Sequence, residues 1–255
     1  MNSTSYHEYL ASCCEISRTA GKLIMTYFND GFITSQKHDE SPVTDADIAA
    51  NQLIVKALTK LTPNIPIVAE EDDNSATCHL PPATCFWLVD PLDGTRAFVR
   101  GEPEFTVNIG LIKDGKPVLG VIYAPPQETL YAGEIGVGAF REKNGRRETI
   151  KTREPAPDGL VVVRSKSHPS PKTQSYLDTL NIKENISGSS SIKFCQLAEG
   201  SADIYPRFGR TMEWDTAAGH AILQAAGGRV ETTDGKPFLY GKPGFENPAF
   251  IAFGF

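Results

Sequence analysis

The residues best suited to chemistry lie in Trp87-Leu-Val-Asp90-Pro-Leu-Asp93-Gly-Thr95. An apolar run ends in Asp90, Pro91 fixes the backbone, and Gly94 allows a tight turn between Asp93 and Thr95. Two carboxylates and a hydroxyl are thereby crowded at the end of a predicted buried strand. Like charges that close repel strongly in a low dielectric, so the arrangement needs something positive between them. Further carboxylates come from other predicted element ends: Asp45 and Asp47 in Val43-Thr-Asp-Ala-Asp47, the run Glu70-Glu71-Asp72-Asp73, and Asp215 in Trp214-Asp215. Asp215 opens a predicted helix, whose N-terminus favours an anion, either the carboxylate or a substrate phosphate. All are hard oxygen donors with no His or Cys nearby, which favours magnesium over zinc. The regular Asp spacing and closing Glu of an EF-hand are absent. Taken singly, each piece has a plainer reading. Asp-Pro-Leu-Asp-Gly is also a turn, Asp47 a helix cap, and residues 70–73 a solvated acidic loop.

The elements that must position these groups are legible in the hydrophobic pattern. Tyr6, Leu10, Cys13, Ala20, Leu23, Ile24, Tyr27 and Phe28 follow helical spacing. A second helix is predicted from Thr44 or Asp45, with a stripe of Ile48, Leu53, Ile54, Ala57, Leu58 and Leu61, and Pro63 ends it. Ile65 to Ala69 reads as a buried strand that delivers Glu70, Glu71 and Asp72, and Phe86 to Val89 as one that delivers Asp90. Phe105, Val107, Ile109 and Leu111 alternate with Thr106, Asn108 and Gly110. With the Asp114-Gly115 turn and the return run from Val118 to Tyr123, this is a hairpin. Asn144-Gly145 marks another turn. The proline-rich stretch from Glu154 to Asp158 suggests a division into an N-terminal unit, 1–155, with most of the acids, and a C-terminal unit, 156–255, with Asp215. Beyond it the pattern is strand 160–164, helix 171–180, helix 190–199, strand 202–206, helix 214–226 and strand 228–232, so the expected class is layered α/β with mixed sheets.

Composition narrows the partners. A chain of 255 residues with 40% hydrophobic residues can bury a real core, and its net charge of −6 argues against a nucleic-acid polymer. A few placed cations or a bound metal still suffice for a small phosphorylated substrate. The odd set of cysteines, Cys13, Cys14, Cys78, Cys85 and Cys195, lacks a C-x-x-C pair and favours reduced thiols in a cytoplasm. No apolar run approaches the ~20 residues that span a bilayer. Weak attachment to the cytoplasmic face of the inner membrane stays an open alternative, and the oligomeric state is not encoded legibly.

Together, Asp90-Pro-Leu-Asp-Gly-Thr95, Trp214-Asp-Thr-Ala-Ala-Gly219, the double glutamate at 70–71 and Thr44-Asp-Ala-Asp47 resemble the inositol monophosphatase superfamily. The order of all four matches, and the resemblance covers nearly the whole chain. It implies the layered fold shared with fructose-1,6-bisphosphatases and a lithium-sensitive, magnesium-dependent phosphomonoesterase with two or three ions. It further implies that Glu70, Asp90 and the Leu92 carbonyl hold one ion, that Asp90, Asp93 and Asp215 hold a second, and that Glu71 supports a third. Asp47 and Thr95 would orient and help deprotonate the attacking water, and the Gly94-Thr95 amides would contact the phosphate.

Within the superfamily, Ser41-Pro-Val-Thr-Asp45, Phe105-Thr-Val-Asn108, Gly188-Ser-Ser, Lys193-Phe-Cys195 and Tyr205-Pro-Arg-Phe-Gly209 resemble the bisphosphate nucleotidases. That branch implies adenosine 3′,5′-bisphosphate as substrate, AMP and phosphate as products, and removal of an inhibitory by-product of sulfate activation. 3′-Phosphoadenylyl sulfate is a further candidate substrate. Ser165, His168, Ser190, Lys193 and Arg207 then fall where nucleotide contacts are expected, with Ser189 a further candidate and Lys193 and Arg207 suited to the second phosphate. An inositol or sugar phosphatase on the same scaffold is the alternative, and a catalytically idle metal or nucleotide sensor a distant one. His220 reads as a helix-packing residue, and His7, His38 and His79 as exposed.

Overall fold

The computed structural model describes residues 3–36, 42–72, 85–165 and 170–255. Expectations for His38, Ser41, Asp73, Cys78, His79 and His168 lie outside the described residues.

Helix α1 (Ser3–Asp30) buries Leu10, Cys13, Ala20 and Ile24 along one stripe. A short hairpin of β1 (Thr34–Gln36) and β2 (Pro42–Thr44) leads into α2 (Asp45–Leu61). Thr44 is the N-cap of α2, and Asp47 completes a reciprocal capping box with it. The buried stripe of α2 is Ala46, Ala50, Ile54 and Leu58, whereas Ile48, expected in that stripe, is 47% exposed on another face.

The first sheet has seven strands: β3 (Ile67–Ala69), β4 (Phe86–Asp93), β5 (Thr106–Lys113), β6 (Lys116–Ala124), β7 (Thr129–Glu134), β8 (Gly138–Lys143) and β9 (Arg146–Ile150). They lie in sequence order, with β3 parallel to β4 and the remainder antiparallel. Between β4 and β5 lies the short α3 (Thr95–Val99). The second sheet holds β10 (Leu160–Ser165), β11 (Ile182–Gly188), β12 (Ile204–Arg207), β13 (Arg229–Thr232) and β14 (Phe250–Phe253) in the order β11-β10-β12-β14-β13. Helices α4 (Pro171–Leu177), α5 (Ile192–Ala198) and α6 (Glu213–Ala225) accompany it. Helix α4 is shorter than the expected 171–180, and β11 and β14 lie outside the expected strands.

Three clusters define five layers. The α1 and α2 stripes pack on Trp87, Val89, Val107, Ile109 and Leu111 on the outer face of the first sheet. The opposite face, with Phe86, Leu88, Ile112 and Ile122, shares one core with α5, α6 and the inner face of the second sheet. Leu177 of α4 closes the far side against Val162, Ile204 and Ile251. Thus α6, which falls among second-sheet strands in sequence, packs directly on the first sheet. At Gly120 of β6, a side-chain Cβ would lie 2.3 Å from the Ala218 carbonyl oxygen, so a bare backbone is what admits the helix. Among the described residues, no helix is long and apolar enough to cross a membrane.

Candidate active site

The site forms where strand ends of the first sheet meet α6. Because β3 and β4 run parallel, with Ala69 beside Val89, their C-terminal ends lie together. The Glu70 N–H donates to the Val89 carbonyl at 3.0 Å, which sets Glu70 next to Asp90. Alternation along β4 turns Phe86 and Leu88 inward to the shared core and Trp87 and Val89 outward to α1 and α2. Asp90, two residues beyond Leu88, continues the inward set and is 1% exposed. The strand then bulges, with a register shift against β5 between Asp90 and Asp93. Within the bulge the Leu92 N–H donates to Asp90 Oδ1 at 3.1 Å. Gly94 closes the turn at φ 108°, and a Cβ there would lie 2.6 Å from Ser190 Oγ and 2.8 Å from the Glu104 carbonyl oxygen.

Helix α6 supplies the remaining acid. Asp215 lies in its first turn, where Oδ2 accepts the Met212 N–H at 2.8 Å. Carboxylate oxygens of Glu70, Asp90 and Asp215 all lie within 4.8 Å of one another. Burial, then the charges of Glu70, Asp93, Asp215 and Glu71, push the Asp90 carboxyl well above its ordinary range. Burial, then Asp93 and Glu70, push Asp215 up to about 8. Asp93 is raised by burial as well, while Lys193, the Asn108 amide and the Ser191 N–H pull it back. Oxygen donors only, in greater negative charge than nearby cations offset, are a donor set suited to a hard divalent cation. Asp93 lies outside the tight triple but interacts electrostatically with all three of its members.

Asp47 reaches the site through Thr95. Its Oδ2 accepts from the Thr44 N–H and hydroxyl, and its Oδ1 is 3.1 Å from Thr95 Oγ1. The Thr95 hydroxyl also lies 3.1 Å from the Leu92 carbonyl oxygen. Burial raises the Asp47 carboxyl, against the hydrogen bonds from Thr44 and Thr95.

Thr95 and the carboxylate triple border a cavity of about 300 Å³, which Asp47 itself does not line. Glu70, Asp90, Leu92, Asp93, Gly94 and Thr95 line it together with Ser165, Ser190, Lys193, Arg207 and Asp215. Ser189 also lines it, with its hydroxyl on the Glu104 carboxylate. Lys193 is buried, donates to the Ser190 carbonyl at 2.6 Å, and is lowered to about 8 by burial despite Asp93. Arg207 donates from Nη2 to the Arg210 carbonyl at 3.2 Å, and its Nε is buried with no hydrogen-bond partner among the described residues. Glu71 does not line the cavity, though its charge is felt at Asp90. Sequence reasoning missed the roles of Thr106, Asn108 and Ser191, which form a buried polar cluster behind Asp93. Thr106 and Asn108 were marked by the Phe105-Thr-Val-Asn108 stretch and by the polar half of the β5 alternation, which the structure turns inward and not to solvent.

Residues 5–249 match the inositol monophosphatase family. The chain belongs to the inositol monophosphatase family. Its members include the 3′(2′),5′-bisphosphate nucleotidase CysQ of Salmonella typhimurium, 45% identical over 251 residues that cover 94% of this chain and 98% of the relative. The crystal structure of Bacteroides thetaiotaomicron CysQ superposes with a TM-score of 0.82 at 35% identity, covering 96% of this chain and 97% of that one. The Thermotoga maritima IMPase follows with a TM-score of 0.79 at 26% identity, over 97% and 92% of the two chains. Family membership and the acidic cluster together make this chain a metal-dependent phosphatase. His220, by contrast, is structural: it is buried on α6, with Nδ1 3.1 Å from the Tyr240 hydroxyl. The His7 side chain is 75% exposed.

Proposed function

We infer that this chain hydrolyses the 3′-phosphate of adenosine 3′,5′-bisphosphate, releasing AMP and phosphate and so clearing an inhibitory by-product of sulfate activation. The observation that carries this reading is a cavity lined by both carboxylates and cations. A carboxylate triple, Glu70, Asp90 and Asp215, gathers where Lys193 and Arg207 also reach the cavity. Identity of 45% to a bisphosphate nucleotidase over nearly the full length supports the choice of a nucleotide.

Magnesium is the cation this oxygen-only set suits. Glu70, Asp90 and the Leu92 carbonyl would hold one ion, Asp90, Asp93 and Asp215 a second, and Glu71 would support a third. Bound there, magnesium supplies Lewis-acid chemistry, making water a better nucleophile and offsetting charge on the phosphate. The chain does the rest by positioning. The Thr95 hydroxyl, ordered by the Asp47 carboxylate, orients the attacking water, and Asp47 is the acceptor for its proton. Backbone N–H groups of Gly94 and Thr95 donate to the phosphate. Ser165, Ser190 and His168 would hold the nucleoside side, and Lys193 would reach the retained phosphate. The unpaired Arg207 Nε–H suits the phosphate that is retained.

A phosphate-release panel tests the reading. Adenosine 3′,5′-bisphosphate, 3′-phosphoadenylyl sulfate and inositol 1-phosphate are compared at saturating magnesium and again in EDTA. The expected result is preference for the first, with hydrolysis abolished by the chelator. Preference for inositol 1-phosphate would replace the nucleotide with a polyol substrate, and full turnover in EDTA would remove the metal from the mechanism.

A further inference from the structure

Thr106 and Asn108 lie on the inward face of β5, beside the bulge that carries Asp90 and Asp93. Both are 1% exposed or less, as is Ser191, which precedes α5. Buried polar groups are costly unless each is satisfied, so a cluster of three at one point has to be complete. It is. Asn108 Oδ1 receives the Ser191 hydroxyl at 2.7 Å and the Thr106 hydroxyl at 3.1 Å, and those hydroxyls are 2.9 Å apart. With its oxygen so engaged, Asn108 can turn only its NH2 to Asp93, and Nδ2 lies 3.3 Å from Asp93 Oδ2.

The same turn grips Asp93 a second time. Ser190, held at φ 52°, donates its hydroxyl to the Asp93 carbonyl at 2.8 Å. Asp93 is thus tethered by its backbone to Ser190 and by Oδ2 to Asn108, which Ser191 of the same turn holds in place.

We propose that Asn108, clamped by Thr106 and Ser191, is a positioning residue for Asp93: it keeps Oδ2 on the protein and fixes the direction in which Oδ1 is offered to a cation. The inference rests on Asp93 being a cation ligand, as proposed above. It adds that cation affinity is set in part by the 189–191 turn, through a hydroxyl that touches neither cation nor substrate. Because the clamp acts on ligand direction, its loss weakens cation binding more than nucleotide binding.

The test titrates magnesium into the whole protein by calorimetry, with no substrate present, and compares wild type with Asn108→Ser, Ser191→Ala and Ser191→Thr. Loss of such an outer partner of a metal ligand costs about 10- to 100-fold in metal affinity, which is the fall expected for Asn108→Ser and, near its lower end, for Ser191→Ala. Ser191→Thr, which keeps the hydroxyl, should restore most of the affinity. KM for adenosine 3′,5′-bisphosphate at saturating magnesium should stay near wild type in all three. An Asn108→Ser protein that melts cooperatively and binds magnesium as wild type does overturns the clamp. If Asn108→Ser does not fold, Ser191→Ala decides: unchanged affinity there overturns the proposal, and weakened affinity with rescue by threonine sustains it. Wild-type protein that takes up no magnesium overturns the ligand role of Asp93 and the clamp together, a result distinct from loss of affinity in the variants alone.

Discussion

At the scale of single residues, the four aspartates of the site share one device. Each has an oxygen committed to a protein donor: Asp47 Oδ2 to Thr44, Asp90 Oδ1 to Leu92, Asp93 Oδ2 to Asn108 and Asp215 Oδ2 to Met212. Such anchoring fixes the rotamer of a short side chain and makes the set a preorganised cage. Asp47 also shows that a plain reading and a functional one need not compete. One of its oxygens completes the α2 capping box while the other takes the Thr95 hydroxyl. That pairing predicts that Thr95→Ala lowers kcat by about 10²- to 10⁴-fold, the usual contribution of a positioned proton-transfer pair. Thr95→Ser should retain much of the rate. Steady-state kinetics at saturating magnesium check this, with a melt to establish that both variants fold; an alanine variant at wild-type rate would remove Thr95 from the chemistry. Asp90, Asp93, Thr95 and Asp215 were legible because carboxylates beside turn formers at strand and helix ends are chemically conspicuous. The roles of Asn108 and Ser191 were not, because a neutral polar residue in an alternating strand or before a helix reads as a solvent-facing or capping position until its neighbours are known.

At the scale of elements, the site depends on how closely α6 approaches the first sheet. Gly110 and Gly120 face Ala217 and Ala218, and a Cβ at Gly120 would come within 2.3 Å of the Ala218 carbonyl oxygen. Backbone cannot yield as a flexible side chain does, so Gly120→Ala must displace the helix. Overpacking of this kind costs about 1–3 kcal/mol. A chain of this size loses roughly 2–4 °C of Tm per kcal/mol. Asp215 rides on α6, so magnesium affinity should fall along with Tm. Thermal melts and cation titration of the variant measure both, and unchanged values for both would show that the contact is not tight. The periodicity of α1 and α2 marked those helices because each buries one face and exposes another, whereas α6 is buried nearly all round. Strand β11 escaped because its Lys183, Glu184 and Asn185 are exposed at the sheet edge, which leaves little apolar signal. The parallel pairing of β3 with β4, which sets Glu70 beside Asp90, is a relation between segments far apart in sequence and has no local signature.

At the scale of the whole molecule, the two sheets and the helices between them close over a cluster of like charge, and that has a consequence for stability. A carboxyl whose folded value is raised holds a proton that the unfolded chain releases, so its contribution to stability is present at low pH and lost as pH rises through the folded value. For Asp215 the window runs from the ordinary 3.8 to about 8, and Asp90 and Asp93 shift in the same direction. His220 acts oppositely: burial lowers it from 6.5 to about 3, so its contribution is complete above 6.5 and declines as pH falls below that. Lys193, lowered from 10.5 to about 8, contributes above 10.5 and loses that contribution as pH falls through about 8, so it adds a nearly constant cost at lower pH. Between about 8 and 6.5 the carboxyls therefore dominate, and the cation-free protein should become more stable on acidification. One extra bound proton is worth roughly 1.4 kcal/mol per pH unit. Across that interval this converts to a rise in Tm of several degrees. A bound divalent cation removes the repulsion that raised these groups, and protons compete with it for the same oxygens. Saturating magnesium should accordingly raise Tm most at pH 8 and cancel or reverse the gain on acidification. Scanning calorimetry at the two pH values, in EDTA and in magnesium, measures all four Tm values. A cation-free Tm that is the same at both pH values, with no added stabilisation by magnesium at the higher one, would mean that the acids are not gathered as the fold has them.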